Sequence, residues 1–233
     1  MQPARPDRPR RFLIHLTLDR PVYRLQTMPA PPPIHDNDTR TTRERLIAAM
    51  QDALRHKGYH GVGLKEILDV AQAPKGVLYH HFPGGKAELA VASIEAVIAQ
   101  ITTGLDKLTQ RYPDVMQALE AWMASAQKAL AVSGYERGCP LATIALESAP
   151  DDIAIRETLA KGFAAIRDRL GHTLQQAGIE PSRAHSLAAL TVSAYEGALV
   201  QARVAGNVDA MQATSQALLD LVRLSLPPRA LSA

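Results

Sequence analysis

The sequence predicts an all-α chain, and three observations carry that expectation. Hydrophobic residues make up 46% of the 233 residues but aromatic residues only 4%, and Ala, Leu, Val and Gln recur where strands would need β-branched and aromatic runs. From Thr41 onward the apolar positions return at three- and four-residue spacing instead of alternating. The interruptions carry Gly and Pro, at PGG (83–85), RYP (111–113), GYERGCP (134–140), APDD (149–152), AGIEPS (177–182) and VAGN (204–207). A chain of this length and apolar content can bury a sizeable core.

Residues 1–40 carry eight prolines, at 3, 6, 9, 21, 29, 31, 32 and 33. Neither a helix nor a central strand persists through such spacing, so the segment is expected to be a disordered, basic, Pro-rich leader. Met28 offers a second start of translation, which intact mass decides. Order is expected from Thr41, which forms a capping box with Glu44. Leu46, Met50, Ala53 and Leu54 then share one face of a helix over 42–57, with Arg43, Arg45, Asp52 and Arg55 elsewhere, and Lys57–Gly58 supply a basic last turn and a left-handed cap.

Leu64, Ile67, Leu68 and Ala71 mark a second helix of about two turns. It starts at Gly63, without the usual Ser or Thr cap. Pro74 fits the first turn of a third helix, 74–81, which buries Val77, Leu78 and Phe82 and turns Lys75, Tyr79 and His80 outward. PGG ends it, and a long helix opens at Lys86. Further helices are expected over 114–132, 139–147, 152–177, 182–204 and 207–225. Along 182–204, Leu187, Leu190, Ala194 and Ala198 form one stripe and Val192, Tyr195, Leu199 and Ala202 another, one for the core and one for a partner.

Charge divides unevenly: net +3 over 1–40, +2 over 41–90 and −2 over 91–233. A polyanionic partner is therefore expected at the N-terminal part. A lone cysteine, Cys139, excludes an internal disulfide and a Cys-rich metal site. No run approaches the roughly 18 uninterrupted apolar residues of a spanning helix, and FLIHL at 12–16 is too short for a signal-peptide core. The expected location is the cytoplasm, without membrane association and without a cofactor. His80–His81 cannot share one metal ion easily, because adjacent helical residues point about 100° apart. GGKA at 84–87 lacks the spacing, the following Ser or Thr and the preceding strand of a phosphate-binding loop. No paired nucleophile and base, carboxylate cluster or ligand-spaced His/Cys set supports an enzyme. A helical carrier or a protein-binding adaptor is the alternative.

Three short helices followed by a long one have the proportions of a helix-turn-helix unit. At GVGLKEILDVAQAPKGVLYHHFPGGKAEL the chain resembles the TetR family of transcriptional regulators, with Gly58, Ile67, Gly76, Tyr79, Phe82, Lys86 and Leu89 at family spacing over 41–90. The extra glycine before Lys86, and GCPLATIALE at 138–147, look closest to its LmrA/YxaF-like branch; Gly63 departs from the family's Thr or Ser. The resemblance implies a DNA-binding domain over 41–90, a helical effector-binding and dimerisation domain over 91–226 and a tail over 227–233. It further implies a homodimer through helices 182–204 and 207–225, bound to a palindromic double-stranded DNA operator and, as a repressor, released by a small hydrophobic effector. The candidate DNA contacts are Arg40, Thr42, Lys65, Lys75, Gly76, Tyr79, His80 and Lys86. Met116, Trp122, Met123, Phe163 and Tyr195 are the candidate pocket residues, each with plain core packing as the competing role.

Overall fold

The computed structural model describes residues 39–228. The expected leader, apart from its last two residues, and residues 229–233 of the expected tail lie outside the described residues. Nine α-helices account for the ordered backbone among those residues, and no strand occurs.

Helix α1 (Thr42–Gly61) begins on the expected capping box. The Thr41 backbone N–H donates to Glu44 Oε2 at 2.7 Å, and the Glu44 N–H donates to Thr41 Oγ1 at 3.3 Å. Regular helix stops at Gly58, whose φ of 69° lies in the left-handed region, as the Lys57–Gly58 pair predicts; one further turn follows. A side chain at this position would meet the Glu147 carboxylate, because the end of α6 (Pro140–Glu147) packs against α1 here.

Helix α2 (Leu64–Ala71) ends on Gln72, in the left-handed region at φ 50°, and the Arg45 Nε–H donates to the Ala71 carbonyl at 3.1 Å. Helix α3 (Lys75–His81) starts one residue later than expected. Pro74, at ψ 147°, is the extended residue before the helix and not part of its first turn. Leu78 and Phe82 are 0% and 1% exposed and join Leu46, Met50, Leu54, Ile67 and Leu89 in the core. After α3 the Gly85 N–H donates to the Phe82 carbonyl at 2.8 Å, with Gly85 left-handed at φ 66° and the Tyr79 ring 3.2 Å from where a Cβ would sit. The extra glycine before Lys86 thus supplies a tight turn that L side chains resist.

Helix α4 (Gly85–Arg111) is the spine. It is long and apolar enough by composition to cross a membrane, but it packs against α1, α5 (Val115–Val132) and α7 (Ile153–Gln176). Its contact with α7 is close because Gly162 faces Ile98, and an Arg169–Asp106 ion pair joins the same helices. The buried Gln51 amide of α1 donates to the Ser93 carbonyl of α4 at 3.3 Å, a polar link between the N-terminal helices and the spine.

Helix α8 (Pro181–Ala205) has Pro181 in its first turn and Glu180 as its cap, accepting from the Ser182 and Arg183 N–H groups at 2.9 Å each. It packs between α7 and α9 (Asp209–Ser225), and this overturns the two-stripe division expected for it. Leu187, Val192, Tyr195, Ala198, Leu199 and Ala202, drawn from both stripes, are all buried within the protomer. The face left outside is Leu190, Ser193, Gly197, Val200 and Val204, with Leu224 exposed on α9. A helix held between two neighbours is covered from two sides, so a pattern that looks like core plus partner is core on both sides.

Candidate nucleic-acid interface and interior cavity

Two places in the fold gather chemistry, the outer side of α3 and a cavity among the later helices. At the first, α3 is held from behind by Leu78 and Phe82 while Lys75, Gly76, Tyr79 and His80 are exposed. Tyr79 is 45% exposed, with its ring edge against the Gly85 turn. Lys65 is exposed on α2, and Arg40 is exposed just before α1. Thr42 is half-buried and accepts from the Arg45 guanidinium, which also donates to the Arg40 carbonyl at 3.1 Å. Arg43 was not among the sequence candidates, yet its guanidinium lies 5.3 Å from the Phe82 ring centre, beside α3. The available signal was its outward position on a basic first turn.

Lys86 sits differently from its neighbours. Its Nζ donates to the Tyr59 carbonyl at 2.6 Å and lies 4.5 Å from the centre of the Tyr59 ring, so it ties the start of α4 to the last turn of α1. Partial burial lowers its pKa, and Asp152 offsets part of that effect. The Gly84 N–H at the same helix end donates to Glu88 Oε2 at 2.7 Å, so one backbone donor there is already engaged.

The second place is a cavity of about 490 Å³. Trp122 and Tyr195 line it, their rings stacked at 6.0 Å between centroids. Met116, Met123 and Phe163 do not line it. Met116 and Phe163 pack against the main core, and the buried Met123 gives its carbonyl to the Tyr195 hydroxyl. Sequence reasoning missed Arg55, Cys139 and Glu196, all three in the wall. A charged residue in a helix reads as a solvent position unless the helix is known to be covered on both sides.

The electrostatics of the wall follow from its burial. Desolvation pushes the Glu196 carboxyl above the usual carboxylate range, and the neighbouring Cys139 thiol offsets this only in part. Burial, with Glu196 beside it, also pushes the Cys139 thiol far up, so the cysteine is a protonated, inert group and not the thiolate a redox sensor needs. Burial lowers the Arg55 pKa, with Asp52 opposing.

A test of stability follows from Glu196. Its folded pKa lies above its unfolded value near 4.5, so its contribution is fully present below that value and is lost as pH rises through the folded pKa. Glu196→Gln does not titrate. Denaturant unfolding is expected to show the variant gaining on the wild type as pH rises above about 4.5, until the folded carboxyl is fully ionised; a gap between the two that is independent of pH would contradict a buried, desolvated carboxyl.

An exposed, basic, aromatic-bearing third helix braced on an apolar core and joined to a larger helical body is the layout of a helix-turn-helix DNA-binding protein. Comparison with known proteins gives the family. Residues 46–92 match the N-terminal domain of bacterial regulatory proteins of the tetR family, and residues 115–217 match the C-terminal domain of LmrA/YxaF-like transcriptional regulators. The chain belongs to the TetR family of transcriptional regulators.

It is 32% identical to the transcriptional regulator AcuR of Cereibacter sphaeroides, covering 72% of this chain and 78% of that one. It is 25% identical to the HTH-type transcriptional regulator LmrA of Bacillus subtilis, over 78% of this chain and 97% of the relative. Among solved structures, regulatory protein TetR from Rhodobacter sphaeroides superposes with a TM-score of 0.69 at 26% identity, covering 77% of this chain and 98% of that one. These relatives are regulators of transcription, not enzymes.

Proposed function

We propose that the protein is a dimeric, ligand-responsive repressor that leaves a palindromic operator when a small, largely apolar effector enters the cavity. The observation that carries DNA reading is the split of α3: Leu78 and Phe82 are sealed in the core while Lys75, Tyr79 and His80 face solvent. Tyr79 and His80 are then the base-reading and stacking groups. Lys75, Lys65, Arg40 and Thr42 contact phosphate or position the duplex, Gly76 gives close approach to the backbone, and Lys86 braces the unit while its remaining ammonium donors face a phosphate. A monomer makes few phosphate contacts, and a two-fold dimer with half-sites about one helical turn apart supplies the rest. Such a protein works in the cytoplasm, where the DNA is.

The response to effector is supported by where the wall comes from. Arg55 belongs to α1, and Arg137, Gly138 and Cys139 belong to the loop before α6, which packs on α1. Arg137 Nη2 lies 3.2 Å from Asp52 Oδ1 of α1. A ligand that displaces this wall acts on α1 directly, and through it on the setting of α3.

The test is a mobility-shift titration with the DNA upstream of the gene across a range of salt. Replacing Lys75 by alanine is expected to flatten the slope of log K against log salt by about one per bound protomer. An unchanged slope would remove Lys75 from the interface. A protein that binds apolar ligands but no duplex at low ionic strength would instead be a helical carrier, the reading that the cavity alone favours.

A further inference from the structure

We infer that the cavity selects an apolar molecule bearing a hydrogen-bond donor, and that Glu196 of α8 is the acceptor that recognises it. The inference rests on the cavity being the effector site and adds the chemistry of the effector.

Most of the wall offers a ligand only apolar contact. Ile101, Leu108, Ile166, Val192 and Leu199 contribute side chains without polar atoms, and the Trp122–Tyr195 stack adds a flat aromatic surface. The polar groups around them are largely engaged. The Tyr195 hydroxyl donates to the Met123 carbonyl, the Ser125 hydroxyl to the Trp122 carbonyl at 2.6 Å, and Arg137 is held by Asp52 at 3.2 Å and His56 at 3.4 Å. Arg55 lies in the field of Asp52. Glu196 is engaged only in part: the Cys139 thiol hydrogen-bonds its carboxyl, yet its Oε2 is the one side-chain polar atom among the described residues that is buried without a hydrogen-bond partner.

A buried acceptor without a partner is a standing cost, and a ligand donor removes it once the Glu196 side chain turns its Oε2, which is shut off from the cavity, toward the ligand. While Glu196 is ionised, an apolar molecule with an ether or ester in the same place gains nothing from it and a ligand carboxylate adds a like charge beside it, so the probes are compared above the pH at which the carboxyl loses its proton. The site therefore discriminates by donor. A protonated amine and a neutral hydroxyl both qualify, and they differ in whether the charge of Glu196 matters.

The full-length protein is titrated with a matched set of probes: adamantane methylamine, adamantane methanol, the methyl ether of that alcohol, and adamantane carboxylate. Binding is followed by calorimetry and by the emission of Trp122, the single tryptophan of the chain and part of the wall. The amine and the alcohol are expected to bind at least about tenfold tighter than the ether and the carboxylate. Glu196→Leu is expected to erase that advantage and leave the ether unchanged. Glu196→Gln, which keeps a carbonyl acceptor, is expected to retain the alcohol and lose the extra affinity for the amine. If Glu196→Leu does not fold, the wild-type ranking and the glutamine variant decide.

The inference is overturned if the carboxylate binds as tightly as the amine and alcohol, if all the probes bind alike or none binds, or if Glu196→Leu preserves the ranking. Duplex binding by the same samples is measured separately. The expected ranking in a protein that ignores DNA would sink the regulator reading and leave the Glu196 assignment standing.

Discussion

Replacing Phe82 by alanine is expected to cost about 3–5 kcal/mol of stability, a large share of the roughly 5–15 kcal/mol of a typical domain, and to abolish operator binding. Phe82 is 1% exposed and closes α3, its own N–H donating to the Leu78 carbonyl at 2.7 Å. Removing the ring leaves a void between α3 and the core, and takes away the surface over which Arg43 lies. Leu78 alone then has to hold a helix of seven residues, which at this length has no stability of its own. Tyr79→Ala is the control. Its side chain is 45% exposed, so the change is expected to cost within about 1 kcal/mol of stability while still weakening DNA binding. Denaturant unfolding and mobility shift on both variants separate the two roles: a Phe82→Ala protein as stable as wild type would mean that α3 is not clamped from behind.

The contrast between those two residues was legible in the sequence, and the reason is physical. A short amphipathic helix bounded by Pro74 and PGG has one period of apolar residues, so its inner and outer faces follow from spacing alone. The capping box of α1 and the left-handed Gly58 were legible for the same reason, since each is a local rule satisfied within four residues. The start of α3 was off by one residue because a proline satisfies both the last extended position and the first helical one, and only its ψ of 147° separates them. Gln72 gave no signal at all: the left-handed cap of α2 is filled by a residue that rarely takes that conformation, and the Arg45 contact that closes the same helix end comes from 26 residues away.

The cavity was the least legible part. Trp122 and Tyr195 were identified because aromatic residues are rare here and bulky. Met116, Met123 and Phe163 were equally plausible on composition, and only the tertiary arrangement sends them elsewhere. Arg55, Cys139 and Glu196 come from three separate elements and share a wall because α6 and its preceding loop close over α1. No spacing rule within one helix encodes that.

Gly197→Lys is expected to leave each protomer as stable as before, or slightly more so, while breaking the proposed dimer into monomers and lowering operator affinity by about 100-fold or more. The two halves of this expectation come from different facts. In the protomer, a Cβ on Gly197 would meet nothing within 4 Å, and replacing a mid-helix glycine gains up to about 1 kcal/mol of helix propensity. For the proposed dimer, Leu190, Gly197 and Val204 fall at seven-residue intervals with Ser193 and Val200 between them, a continuous outward stripe on the protomer whose smallest member sits at its centre. Two such stripes can approach closely only across glycine, and a lysine there places a charge in each copy against the other. The substitution therefore separates association from folding in a way that a core mutation cannot. Sedimentation at micromolar concentration, unfolding and mobility shift are run on the same preparation. A variant that stays dimeric and binds the operator as the wild type does would show that the copies meet through some other face, and that the exposed side of α8 serves another purpose.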